Sequence, residues 1–221
     1  MKSEQWTTNW VIDKLTGHNR IFSIKKDNEN DLILIERNFG ENIIVATLSL
    51  SEINISSVVD IITNKKLDFI VNVKKDYIVK EDAYQLATQH KVIIGGMGDI
   101  DRIMNQEYNW PYLDPETNFI IRGLEQHTKV RSINKIDNRR LKLSTINNNY
   151  LIIIYLNDYD LSIESVRKSI REYNSFDCIL KSNPNGRISS DAVELASSLN
   201  IKLLTWGELL RELNFIWKQQ I

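Results

Sequence analysis

The chain has a single cysteine, so it cannot form an internal disulfide. It also has no apolar run near the roughly 18 residues that a membrane-spanning helix requires, and its N-terminal stretch, MKSEQWTTNW, has no apolar core of a signal peptide. The spacings of a Walker loop, a GxGxxG turn, an HExxH zinc helix and a GxSxG elbow are all missing. These absences favour a cytoplasmic protein with no membrane span, cofactor or metal, and they leave no catalytic residue to name.

Net charge is also small. The 28 Lys and Arg residues nearly balance the 29 Asp and Glu residues, for a formal net charge of −1. The charge is unevenly distributed, because residues 1–109 have a net charge of −3 and residues 110–221 have a net charge of +2. A difference of this size does not by itself indicate a nucleic-acid-binding protein.

One stretch of the chain occurs twice. Asp68–Asn105 aligns without a gap with Asp177–Asn214 at an offset of 109 residues, and nine of the 38 aligned pairs are identical. The same offset also matches the leucines of Leu32–Leu34 with those of Leu141–Leu143. A repeat of this length at one register indicates a duplicated domain.

Each copy opens with a helix and three short strands and then alternates apolar strands with amphipathic helices. Strands that are apolar throughout, such as FIVNV, are typical of parallel strands covered by helices on both faces. We therefore predict an α/β protein of two tandem homologous domains, each a hairpin plus parallel strands with helices. The first repeat spans residues 1–105 and the second 119–221. The linker between them, 106–118, contains Pro111 and Pro115, two of the three prolines.

The order of elements in each copy begins helix, strand, strand, strand, helix, strand. The second strand of the first copy offers Asp31 and Glu36, and a later strand ends in Asn72-Val-Lys74. This order resembles the core of the PD-(D/E)xK phosphodiesterases, the restriction-endonuclease-like superfamily. The resemblance implies a nuclease-like fold in which an acidic residue of the second strand and an E-x-K on the third bind a divalent metal. The third strand, Ile43–Leu48, has no E-x-K, so the resemblance extends to the order of elements but not to the metal site.

Basic residues concentrate in two segments of the second copy. Lys129–Lys142 has six cations and one acid in 14 residues, on a predicted hairpin. Such a ribbon can lie against phosphates, but its alternation with apolar residues also fits a hairpin whose polar face is merely solvated. Lys181–Arg187 combines two cations with a Pro-Asn-Gly turn and a helix N-terminus, which either hold a phosphate or simply turn the chain. The predicted nucleic-acid-binding residues are Lys129, Arg131, Lys135, Arg139, Arg140, Lys142, Lys181, Asn183 and Arg187.

Two residue pairs recur at matched positions in the two copies. His18 and His127 follow the first helix of each copy, where they either transfer protons or cap the end of the helix. Asp68 and Asp177 each begin a strand. Each copy supplies one aspartate at this place, and one carboxylate alone does not make an acid–base pair.

The basic segments favour a non-catalytic binding protein that acts with nucleic acid or with a nucleic-acid-processing complex. One alternative is a metal-dependent nuclease with an atypical site that uses Asp31, Glu36, Asp68 or Lys74. The other is a protein-binding scaffold, for which a protein partner or a homo-oligomer is expected in place of nucleic acid.

Overall fold

The computed structural model describes residues 2–147, 149–173, 175–215 and 217. The chain forms two compact units, and the division between them falls between Leu113 and Asp114, inside the segment predicted as the linker. Each unit is built on a five-stranded sheet with helices, and the predicted α/β fold with two similar halves is confirmed. No helix in the described part of the chain is long and apolar enough to cross a membrane.

The first unit contains four helices and seven strands within its described residues. They are α1 Lys2–Leu15, β1 Ile21–Asp27, β2 Leu32–Arg37, β3 Ile43–Leu48, β4 Glu52–Ile53, α2 Ile55–Asn64, β5 Phe69–Asn72, β6 Ile78–Val79, α3 Glu81–Gln89, β7 Ile93–Gly95 and α4 Met97–Ile103. The sheet order is β1-β2-β3-β5-β7. Strands β1 to β3 are antiparallel, and β3, β5 and β7 are parallel. The short strands β4 and β6 form a separate parallel pair.

The second unit repeats this plan, with the short extra pair of strands reduced to an isolated parallel bridge between Leu161 and Ile188. Its elements are α5 Pro115–Glu125, β8 Val130–Lys135, β9 Arg140–Thr145, β10 Tyr150–Leu156, α6 Ile163–Glu172, β11 Cys178–Lys181, α7 Ser190–Ser198, β12 Lys202–Thr205 and α8 Trp206–Glu212. The sheet order β8-β9-β10-β11-β12 corresponds strand by strand to that of the first unit. Helix α5 begins inside the predicted linker, because Asp114 accepts a hydrogen bond from the Thr117 N–H at 3.0 Å and Pro115 occupies the first turn.

Alternation along the strands divides the first unit into three layers. Leu32 and Ile33 are neighbours on β2, yet they enter different cores because successive strand residues face opposite sides of the sheet. Ile33 packs with Val11 of α1, on the face that α4 also covers, and Leu32 packs with Val58 of α2 and Ala83 of α3. Full burial of an aliphatic side chain of this size contributes about 1.5–3 kcal/mol, so both faces of the sheet stabilise the fold.

The hairpin loop of the second copy is one residue shorter than that of the first. Lys26 of β1 pairs with Ile33, whereas Lys135 of β8 pairs with Leu141. Across β2 and β9 the two copies therefore correspond at an offset of 108 residues, so Ile33 of the first copy is equivalent to Leu141 of the second. The ungapped alignment, which matched Leu32 with Leu141, is wrong over these strands.

The offset of 109 is restored at β5 and β11. Val45 pairs with Phe69 in the first copy, and Ile153 pairs with Cys178 in the second. The extra residue of the second copy lies between α6 and β11. The burial patterns of β2 and β9 are identical at the corrected offset, because each strand must keep the same side chains in the core.

The paired aspartates have a structural role in both copies. Asp68 Oδ2 accepts a hydrogen bond from the Ile44 N–H at 2.8 Å, and Asp177 Oδ2 accepts one from the Ile152 N–H at 2.7 Å. Each carboxylate thereby connects the start of its strand to the neighbouring parallel strand. This contact accounts for an aspartate at this place in both copies without a catalytic role.

The paired histidines connect the first helix region of each copy to the last helix. His18 Nε2 lies 3.1 Å from Asp101 Oδ1, and His127 Nε2 lies 2.9 Å from the Leu210 carbonyl oxygen. In both copies Nδ1 accepts a hydrogen bond from the backbone N–H two residues later. Both ring nitrogens of each histidine therefore have partners within the fold, which supports the structural interpretation of these residues.

We expect the Asp177→Ala variant to lose about 1.5–3 kcal/mol of unfolding free energy, because the Ile152 N–H loses a charged acceptor in a half-buried position. The control is Asp191→Ala, which removes an exposed carboxylate from the first turn of α7 and should cost no more than about 1 kcal/mol. Urea unfolding followed by circular dichroism compares the two. Equal losses would contradict the structural role given to Asp177.

Candidate nucleic-acid interface

The basic hairpin of the second copy is formed by β8 and β9. Its inner row includes Leu141 and Leu143, which are buried against Ile120 and Leu124 of α5. Residues that alternate with this row lie on the opposite face, so Lys142 is exposed between two buried leucines. The structure therefore divides the predicted cations into residues that face solvent and residues that serve internal contacts.

Arg140 is held inside the unit, with only 5% of its surface exposed. Its Nε donates to Asp137 Oδ2 at 2.7 Å, and its Nη1 donates to the Ser175 carbonyl oxygen at 3.1 Å. The guanidinium also lies 5.6 Å from the centroid of the Tyr173 ring. A buried charge needs such partners, and Arg140 uses its donors to connect the hairpin loop to the segment before β11.

Arg139 and Lys135 form ion pairs with the start of α5. Arg139 Nη1 lies 3.0 Å from Glu116 Oε2, and Lys135 Nζ lies 3.7 Å from Asp114 Oδ2. Burial alone would lower the pKa of Arg139, but the charge and hydrogen bond of Glu116, together with Tyr155 and Tyr173, outweigh burial and leave the pKa above its usual value. Burial would likewise raise the pKa of Asp114, but Lys135 and the Thr117 hydrogen bonds leave this pKa lowered.

A hydroxyl pair lies beside these ion pairs. The Thr117 and Tyr155 hydroxyls are 2.6 Å apart, and Tyr155 donates to the Asn138 carbonyl oxygen at 2.9 Å. Burial, reinforced by Asp114, raises the pKa of Tyr155 well above its usual value, so the phenol stays protonated. The arrangement connects α5, the hairpin loop and β10.

The matching place in the first copy has a smaller hydroxyl pair. Thr8 and Thr47 are 2.9 Å apart, and Asp31, next to them, pairs with Lys26 at 3.0 Å. The resemblance to the nuclease superfamily implied an acidic metal ligand at Asp31. Among the residues that the structure describes, no group of three or more His, Cys, Asp or Glu side chains is placed to hold a metal ion.

The other carboxylates and the lysine of the alternative nuclease site are dispersed. Glu36 accepts a hydrogen bond from the Ser23 hydroxyl at 2.5 Å on the hairpin, and Asp68 serves the backbone contact described above. Lys74 is exposed in the loop after β5. These side chains do not converge on Asp31.

The loop Lys181–Arg187 is organised from inside by its own lysine. Lys181 is buried, and its Nζ donates to the carbonyl oxygens of Asn183, at 2.6 Å, and Asn185. Asn183 accepts from the Asn185 N–H through its side chain at 2.9 Å. Lys181 is therefore a loop-stabilising residue, and Arg187 is the exposed cation of the segment.

Three predicted cations remain on the hairpin. Arg131 and Lys142 are exposed, and Lys129, just before β8, is half-buried. Arg131 is the extra residue of a bulge between Val130 and Ser132, a feature that redirects side chains at the edges of sheets. We name the exposed surface around Arg131, Lys142 and Tyr150 the basic sheet face.

Tyr150 was not among the sequence-predicted site residues. It is the first residue of β10, 55% of its surface is exposed, and Lys142 Nζ lies 5.2 Å from the centroid of its ring. The signal that would have found it is alternation in YLIIIYL, which places Tyr150 on the face opposite the buried Leu151. Pairing with Ser144 puts it on the same face as Lys142.

The same positions are apolar in the first copy. Phe22 is the bulge residue that matches Arg131, with 76% of its surface exposed, and Leu34 matches Lys142, with 37% exposed. The duplicated hairpins thus present different chemistry from equivalent places on the same fold, apolar in one copy and cationic in the other.

Comparison with known proteins gives no relative on which to base a function. No protein-family model matches the chain, and no curated protein or solved structure matches it.

We expect Gly186→Ala to destabilise the second unit by more than about 1 kcal/mol. Gly186 has φ +76°, and an added Cβ would lie 1.8 Å from the Tyr159 carbonyl oxygen. Gly207→Ala is the control, since its Cβ would meet nothing within 4 Å, and alanine in a helix should be neutral or stabilising by up to about 1 kcal/mol. Thermal unfolding of both variants tests this, and an unchanged Gly186→Ala would contradict the loop geometry.

Proposed function

We propose that this protein binds nucleic acid without catalysis, through the basic sheet face of its second copy. The observation that supports this best is a difference between the two copies at equivalent exposed positions. The first copy has the apolar residues Phe22 and Leu34 there, and the second has the cations Arg131 and Lys142. Cations at the surface of a sheet can contact phosphates without displacing core residues.

The proposal uses fewer residues than the basic segment contains. Arg140 and Lys181 are buried, and Arg139 and Lys135 are half-buried and paired with the start of α5, so we assign them to the fold and not to the ligand. We select the ligand contacts by their exposure. The ligand contacts are Arg131 and Lys142, with Lys129 at the border of the surface and Arg187 on a separate loop.

The number of phosphate contacts sets how strongly binding depends on salt. Each neutralised phosphate contributes about −0.7 to −0.9 to the slope of log K against log salt concentration, so two or three contacts give a slope of about −1.5 to −2.5. The binding constant should therefore fall about 30- to 300-fold for each tenfold rise in salt concentration.

We expect the double variant Arg131→Glu, Lys142→Glu to bind labelled oligonucleotides at least about tenfold more weakly in fluorescence anisotropy, with a smaller salt slope. The matched control is Lys25→Glu, Lys74→Glu, which changes the net charge equally at exposed lysines of the first copy. Equal weakening in both variants would reduce the effect to overall charge and would contradict the assigned surface. Shortened products that appear only with magnesium would support the nuclease alternative instead.

Protein binding is the second candidate, and the apolar pair Phe22 and Leu34 favours it. Phe22 and Leu34 are exposed apolar side chains on neighbouring strands of one sheet, and exposed apolar surface can mark a protein contact. A second copy of this chain is the simplest partner to test.

We expect Phe22→Ser to lower the weight-average mass in sedimentation velocity at high protein concentration if this surface self-associates. Arg131→Ser, at the equivalent bulge, is the control and should leave the mass unchanged. A wild-type chain that stays monomeric at every concentration contradicts self-association.

A further inference from the structure

The basic sheet face contains an aromatic ring in addition to its cations. Tyr150 and Ser144 pair directly across β9 and β10, and the Ser144 and Ser132 hydroxyls are 2.6 Å apart. On β8 this row adjoins the bulge at Arg131, and on β9 it lies two residues from Lys142. The ring and the two cations therefore belong to one continuous stretch of the sheet.

The ring of Tyr150 is available to a planar partner. More than half of its surface is exposed, and Lys142 Nζ lies 5.2 Å from the centroid of the ring. An exposed aromatic ring beside a lysine is the combination on which a nucleic-acid base stacks while the neighbouring phosphate is neutralised. The first copy has Asn42 at the corresponding position and so offers no ring.

We propose that the ligand of the basic sheet face is single-stranded nucleic acid, with one base stacked on Tyr150 and the flanking phosphates contacted by Arg131 and Lys142. The inference rests on the proposed nucleic-acid binding and specifies its substrate class. A duplex presents phosphates and base edges but encloses the faces of its bases, so it cannot use the ring. A single strand can use both the ring and the cations.

Stacking and charge make separable contributions. Removal of the ring should reduce affinity by the stacking contribution of one base without changing how many phosphates are neutralised. Reversal of the cations should change the salt dependence itself. The single-strand inference and the underlying nucleic-acid proposal can therefore fail independently.

The experiment measures binding of the full chain to three fluorescent probes: oligo-dT, oligo-U and a DNA duplex matched to oligo-dT in number of phosphates. The variants are Tyr150→Ala, Tyr150→Phe and, as a control, Tyr159→Ala, which removes an exposed tyrosine from a loop of the same unit. Circular dichroism melting checks that each variant is folded, and Tyr150→Phe, which keeps the ring, separates stacking from loss of packing.

We expect the single strands to bind more tightly than the duplex. Tyr150→Ala should weaken single-strand binding about 5- to 150-fold with an unchanged salt slope, while Tyr150→Phe and Tyr159→Ala bind like the wild type. The oligo-dT and oligo-U arms report whether the sugar matters.

Three outcomes would overturn the inference. If the duplex binds as tightly as the single strands, or if Tyr150→Ala has no effect while the Arg131→Glu, Lys142→Glu variant abolishes binding, the protein is a backbone-binding protein and the stacking role of Tyr150 is wrong. If no probe binds in a salt-sensitive way, both the inference and the proposed function fail.

Discussion

The inner row of the antiparallel hairpin is the constraint on which both units depend. Ile33 and Ile35 in the first copy, and Leu141 and Leu143 in the second, must face the core beneath the first helix of their unit. Because side chains alternate along a strand, this row also fixes which residues face solvent, and a slip of one residue would exchange the two sets. Lys142 is exposed only because its two neighbours are buried. The second copy tolerates a hairpin loop one residue shorter because the register between β8 and β9 shifts by one residue, which keeps the same row of side chains in the core.

Burial and contacts within the fold decide which of the charged residues face solvent. Lys129–Lys142 looks uniformly basic in the sequence, yet Arg140 is buried against Asp137 and Tyr173, while Arg139 pairs with Glu116 from a helix 23 residues earlier. A charge that leaves water without a partner is costly, so the fold matches acids to cations over distances that local composition does not show. The remaining exposed cations form a smaller and more specific surface than the segment as a whole.

Duplication preserved the framework and changed its surfaces. The strand orders, the bulge, the paired aspartates and the paired histidines recur in both units. At the exposed hairpin positions and around the Thr8–Thr47 and Thr117–Tyr155 pairs, the side chains differ in charge and size. Residues that hold elements together are constrained by packing on all sides, whereas exposed positions contribute little to stability. Surface chemistry is therefore where one unit can acquire a function that its twin lacks.

The sequence by itself determined the duplication, the α/β class, the order of the elements and the apolar rows of the strands, because these follow from periodicity and turn residues within short windows. It also located the hairpin that contains Arg131 and Lys142. Only the tertiary structure decided the one-residue shift between the hairpins, the internal role of Arg140 and Lys181, and the place of Tyr150 beside Lys142. The contacts involved lie within a single loop, between neighbouring strands or, for Arg140 and Ser175, 35 residues apart along the chain. In each case the folded backbone places the groups together, which no local pattern of residues specifies.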